Sequence, residues 1–176
     1  MASRRDGLIM LGVAVTAGGA GLWWGPRLAD HFAPADRAAL GEARLTDLEG
    51  KPRQIAEWRG KLLVCNFWAT WCPPCVEEIP VLMRVRERLL PRGVEFVGIA
   101  IDQADKVRQF AQRLAISYPV LLADAGGIGL IRALGNPSGG LPFTVVLDRS
   151  GSVARRQLGA VTEQSLEQLL QPLLAA

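Results

Sequence analysis

The run Leu62-Leu63-Val64-Cys65-Asn66-Phe67, followed by Trp68-Ala69-Thr70-Trp71-Cys72-Pro73-Pro74-Cys75, constrains this chain more than any other stretch. A short apolar run of this kind reads as a strand buried on both faces. Pro73 suits the first position of a helix, where a missing N–H removes no hydrogen bond. Cys72 is thereby expected at a helix N-terminus, with Cys75 about one turn further on and both sulfurs within disulfide reach. Unpaired N–H groups and the helix dipole favour a thiolate at Cys72, and thiolate is the species that attacks a disulfide. The expected chemistry is attack by Cys72 and a mixed disulfide, resolved by Cys75. Two blander readings stand beside it. A structural disulfide across so short a loop constrains the unfolded chain little. A zinc site wants four ligands, and the whole chain holds three cysteines and one histidine. The third cysteine, Cys65, lies mid-strand among apolar neighbours and reads as a small core residue rather than a third reactive thiol.

The chain has 176 residues and is 49% apolar, so a single domain with a substantial core is expected. A net charge of +3, with no basic stripe, argues against nucleic acid as a partner. Gly7 to Gly25 carries no charged residue, follows Arg4 and Arg5, and ends on Trp23 and Trp24. About 20 apolar residues can span a bilayer. Interfacial tryptophans and the positive near end predict a cytoplasmic N-terminus with the remainder outside. The domain plan is therefore an anchor or signal segment over 1–27, a linker over 28–41 and a folded domain over 42–176. Retention as a single-pass anchor in the cytoplasmic membrane is favoured, because the run exceeds an ordinary signal core. A cleaved, soluble periplasmic form is the alternative: Ala33-Pro34-Ala35 offers an A-x-A site, and Ser3-Arg4-Arg5 a weak twin-arginine hint. His31 falls in the linker and reads as solvated.

Within the domain, Arg44–Thr46 and Arg53–Ile55 read as a hairpin, with Pro52 just ahead of its second strand and a turn over 56–60. A helix is expected from Pro73 to about Leu90, with Ile79, Leu82, Met83 and Leu90 inward and a kink at Pro80. Strands follow at Val94–Ile101 and Val120–Leu122, and helices at Lys106–Leu114 and Ile128–Leu134. Val145–Leu147 and Val153–Leu158 form a second hairpin. A last helix, capped by Thr162, buries Leu166, Leu169, Leu170 and Leu173 and ends near Pro172.

Several motifs carry a resemblance: Asn66 to Cys75, Glu78-Ile79-Pro80, Gly98-Ile99-Ala100-Ile101-Asp102, Gly140-Leu141-Pro142 and Gly159-Ala160-Val161-Thr162. From Glu42 onward the chain resembles the thioredoxin superfamily, and more narrowly the TlpA/ResA-like thiol-disulfide oxidoreductases. The resemblance implies an α/β thioredoxin-like fold, a central mixed sheet flanked by helices, preceded here by the N-terminal hairpin and the membrane or signal helix. It implies catalysis by Cys72 and Cys75 with no external cofactor and no metal, the redox-active group being the Cys72–Cys75 disulfide itself. It implies a cis Pro142 facing the cysteines, against the base-rate expectation of a trans loop proline, with Leu141 presenting backbone to a partner strand. Glu78, three residues past Cys75, is implied to tune the thiols or relay a proton; otherwise it is a solvated helical glutamate, as Glu77 is taken to be. Trp68 and Trp71 are expected to serve packing and a partner platform. Phe143 departs from the family's smaller or polar residue and is expected to alter which partners dock.

The implied partners are proteins carrying disulfides or CxxC thiols, such as apocytochromes c or copper-site proteins, and a membrane electron donor that re-reduces the pair. A copper-binding metallochaperone module using the same cysteines is a second class, since soft thiolates suit Cu(I). A thiol oxidase or peroxidase of the same superfamily is a third.

Overall fold

In the computed structural model, residues 39–123 and 126–175 are described. The expected anchor or signal segment, and most of the linker with His31, lie outside them. Among the described residues no helix is long and apolar enough to cross a membrane. The first of these residues, 39–42, are helical. Leu40 is buried with Ile55, Trp58 and Leu63, so the core takes in a residue ahead of the boundary expected at 42.

A seven-stranded mixed sheet organises the fold. The strands are β1 (Leu45–Asp47), β2 (Pro52–Arg53), β3 (Leu62–Trp68), β4 (Val94–Ala100), β5 (Val120–Ala123), β6 (Phe143–Leu147) and β7 (Val153–Leu158). Their spatial order is β2-β1-β5-β4-β3-β6-β7. The β3–β4 and β4–β5 pairs are parallel; β1–β2, β1–β5, β3–β6 and β6–β7 are antiparallel. Parallel neighbours need a helical crossover, and antiparallel ones can be joined by a hairpin. The helices are α1 (Pro73–Leu89), α2 (Ala104–Arg113), α3 (Gly127–Ala133) and α4 (Glu163–Leu174).

Every residue of β3, β4 and β6 is buried, as expected for strands covered on both faces. Alternation along them divides the core in two. Leu62, Val64 and Trp68 face α1 and α4, with Ile79, Leu82, Leu166 and Leu170. Leu63, Cys65 and Phe67 face the other way, toward Ile131 of α3 and Leu134 at its C-terminal cap.

Three local expectations are corrected. Pro52 lies within β2, which ends at Arg53; Ile55 opens a 3₁₀ turn over Ile55–Trp58 instead of extending the strand. This turn is closed reciprocally, Glu57 accepting from the Gln54 backbone N–H. On α1 the inward residue is Leu89, while Leu90 is exposed, because the helix stops at 89 and a 3₁₀ turn carries Leu90 outward to left-handed Gly93. Val85 also joins that buried stripe. At the C-terminus, Thr162 accepts from Ser165 N–H and caps α4, which continues two residues beyond Pro172 to Leu174.

Candidate active site

The site lies at one end of the sheet, where β3 and β4 finish and β6 begins. Phe67 pairs with Phe143 and Trp68 with Ala100, so the segments after Trp68, after Ala100 and before Phe143 all leave the same edge. The carboxyl ends of parallel strands are the usual place for a site in an open α/β sheet.

Cys72 is the N-cap of α1, with φ −98° and ψ 101°, and Pro73 and Pro74 occupy the first helical positions. The Cys72 backbone N–H donates to Ala69 carbonyl at 3.2 Å and its carbonyl accepts from Val76 at 3.2 Å. Cys72 and Cys75 are joined by a disulfide, S–S 2.06 Å, with Cα atoms 5.3 Å apart. Cys75 is fully buried, while Cys72 keeps 5% of its surface. Trp71, beside it, is 65% exposed. Trp68 is instead fully buried, its indole tilted on Phe110 at 5.5 Å between centroids. Leu141–Pro142 is cis. The Pro142 carbonyl accepts from Gly159 N–H at 3.0 Å, and Leu141, partly buried, packs on the core cluster that contains both site cysteines.

Glu78 points inward and is buried. One carboxylate oxygen accepts from Asn66 Nδ2 at 2.8 Å and the other from the Val161 backbone N–H at 2.8 Å. Burial pushes its carboxyl above the ordinary value, and the bonds from Val161 and Asn66 pull back only part of that rise. The solvated alternative is therefore excluded for Glu78, whereas Glu77 is exposed. Asn66 also donates to Thr144 Oγ1 at 3.0 Å. The Asn66–Thr144 pair was not picked out from sequence. Its signal was there: an amide inside an apolar strand must find partners.

Phe143 corrects the sequence reading. It is fully buried and stacked on Phe67 at 5.8 Å, on the opposite face of the sheet from the cysteines. Its side chain is core and offers no docking surface. Cys65 is buried and free, its thiol pushed up to about 12 by burial, as a core residue should be. Among the described residues no group of three or more His, Cys, Asp or Glu is gathered as metal ligands would be.

The sequence profile described as Redoxin matches residues 30–170. The thiol-disulfide oxidoreductase ResA of Bacillus cereus is 30% identical over 145 residues, 80% of this chain and 82% of its own. Among solved structures, a thioredoxin-family thiol:disulfide interchange protein of Chlorobium tepidum superposes with a TM-score of 0.62 at 34% identity, over 75% of this chain and 94% of that one. A secreted disulfide oxidoreductase of Mycobacterium tuberculosis gives 0.62 at 27% identity, over 77% and 98%. With its paired cysteines at a helix start and this sheet order, the chain belongs to the redoxin family, as a TlpA/ResA-like thiol-disulfide oxidoreductase of the thioredoxin superfamily.

Proposed function

We propose that the chain is exported, held to the cytoplasmic membrane by its N-terminal segment, and reduces disulfides in extracytoplasmic proteins. The observation that carries the reading is the Cys72–Cys75 disulfide at the mouth of α1, with surface left on Cys72 alone. In the dithiol form, the Cys72 thiolate attacks one sulfur of a partner disulfide. A Cys72–partner S–S bond forms, the partner's bond breaks, and the departing thiolate takes a proton. Cys75 then gives its proton to the Glu78 carboxylate and attacks Cys72 Sγ. The mixed disulfide breaks, the second departing thiolate takes up a proton as Glu78 gives back the one it accepted, and the partner leaves with two thiols and two electrons. Cys72–Cys75 is left oxidised, the state seen here, and a dithiol donor at the membrane restores it. Leu141 and Trp71 supply backbone and ring surface on which the partner rests.

The charge-free run over 7–25 and the secreted Mycobacterium relative support export. Apocytochrome c or copper-site CxxC proteins are the expected clients, as the resemblance implies. Trapping tests the proposal. Cys75→Ala is expected to accumulate a mixed disulfide through Cys72, released by reductant, in the membrane fraction. No adduct, or one formed equally by Cys72→Ala, sinks the reading. A redox titration tests the direction: a potential toward thioredoxin's, about −270 mV, fits a reductant, and one near about −120 mV contradicts it.

A further inference from the structure

Asp102, the first residue but one after β4, reaches across to the loop that carries the site. Its Oδ2 accepts from the Thr70 backbone N–H at 3.2 Å and from the Thr70 hydroxyl, and its Oδ1 accepts from Gln103 N–H at 2.7 Å. One carboxylate therefore ties the β3–α1 loop to the β4–α2 loop. The tie matters because Thr70 and Trp71 have little else to hold them between buried Ala69 and buried Cys72. Trp71 is mostly in solvent and contributes no packing anchor. Ala69 is buried, and the Ile101 N–H donates to the Trp68 carbonyl at 2.9 Å, so the loop is fixed up to residue 69. Beyond it, the described hydrogen bonds to residues 70–72 from outside the loop and α1 are those of Asp102.

We propose that Asp102 is a positioning residue for thiol exchange: through Thr70 it sets where Cys72 and Trp71 stand, and its charge opposes thiolate formation at the same helix mouth. The proposal rests on the reading of Cys72 as the attacking sulfur. Two groups of like charge disfavour each other's ionised forms, so a fixed carboxylate near a helix N-terminus offsets part of the help that the dipole gives a thiolate. Asp102 is charged through the neutral range. Burial acts to raise it, but the Thr70 hydroxyl and N–H, the Gln103 N–H and nearby Lys106 together outweigh that and hold it below 3.8. Of the other titratable groups on the surrounding elements, Glu77 of α1 is exposed, Glu78 of α1 is buried and bonded to Asn66 and Val161, Tyr118 ahead of β5 is buried, and Lys106 of α2 lies near Asp102 itself; residues 140–143 (Gly-Leu-Pro-Phe) carry none that titrates. Asp102 is the one of these bonded to the cysteine's own loop.

The two effects separate by substitution. Asp102→Asn keeps an oxygen for Thr70 and removes the charge; the exposed Gln103 N–H turns to water. Asp102→Ala removes both, and Thr70→Val removes the hydroxyl bond while keeping shape. In the reduced protein, the rate of Cys72 alkylation is followed against pH, together with disulfide-reducing turnover. Asp102→Asn is expected to move the alkylation midpoint down by about half a pH unit, the size of one partly screened like charge bonded to the same loop. Asp102→Ala and Thr70→Val are expected to lower turnover severalfold at a pH where the thiolate is saturated, with Thr70→Ser restoring it. A general loss of stability moves neither midpoint nor rescue, and thermal melts of each variant identify it. The proposal is overturned if Asp102→Asn leaves the midpoint in place, or if Asp102→Ala turns over at the wild-type saturated rate. A wild-type Cys72 that alkylates like an ordinary thiol overturns the underlying function instead.

Discussion

Glu78 is a residue whose sequence position suggested a role but not its surroundings. The i, i+3 spacing from Cys75 put it on the right side of α1, and burial with two donors, from Asn66 and Val161, gives it a raised carboxyl. The linkage sign follows directly. A group raised on folding binds its proton more tightly in the native state, so its contribution is fully present below the ordinary 4.5 and is lost as pH climbs through the native value. Glu78→Gln has no charge to bury. Its amide can be satisfied if Asn66 turns its own amide over, giving Oδ1 to the new donor. Relative to wild type, Glu78→Gln is therefore expected to gain stability as pH rises from about 4.5 into the neutral range. Urea midpoints of the two proteins across that range check it; a difference that stays flat, or shrinks with pH, contradicts the buried-charge account. Subtracting variant from wild type cancels Glu95 and Asp102, which are lowered on folding and act in the opposite sense. Phe143 teaches the converse. Next to the cis proline it invited a docking role, but alternation along β6 sends it to the far face against Phe67. That register depends on pairing with β3, which no local pattern specifies.

Among the elements, the strands show most clearly what was readable. β3 and β4 announce themselves as mostly apolar runs, each broken by a single polar or charged residue, Asn66 or Glu95, and β7 begins and ends where expected. Short elements were read less well. Ile55 has the residue type of a strand, yet the Gln54–Glu57 box closes a 3₁₀ turn over it. Tertiary context also decides the one glycine inside β4. Gly98 lies beside Asn66 in the sheet, and a Cβ there meets Trp68 Nε1 at 2.8 Å and Tyr118 Cε2 at 2.9 Å. Both rings are buried and have nowhere to withdraw. Gly98→Ala is expected to cost about 1–3 kcal/mol by overpacking, read as a lower urea midpoint with altered Trp68 fluorescence. An unchanged midpoint means that the rings are not held as described. From sequence, Gly98 was simply part of a motif; the reason for a bare backbone there belongs to two side chains from elsewhere in the chain, one on β3 and one in the loop before β5.

At the scale of the whole molecule, the sheet sorts its tasks by face and by end. The two cysteines, Trp68 and the apolar stripe of α1 lie in the core on one face, and Cys65, Phe67 and Phe143 in the core on the other. The overall architecture was legible because a parallel β-α-β unit and two hairpins together leave few arrangements of a mixed sheet. Which sulfur ended on which face was not, since it turns on the parity of one strand. That parity keeps an enzyme of sulfur exchange from becoming its own victim. The third thiol sits behind the full thickness of the sheet, too buried to ionise, where neither partner of a half-finished reaction can meet it. Labelling of the folded, reduced protein should thus leave Cys65 unmodified until the chain is unfolded; modification of Cys65 in the folded state would contradict this separation. Errant internal bonds, the standing hazard of a protein that makes and breaks such links for others, are averted here by a wall of backbone.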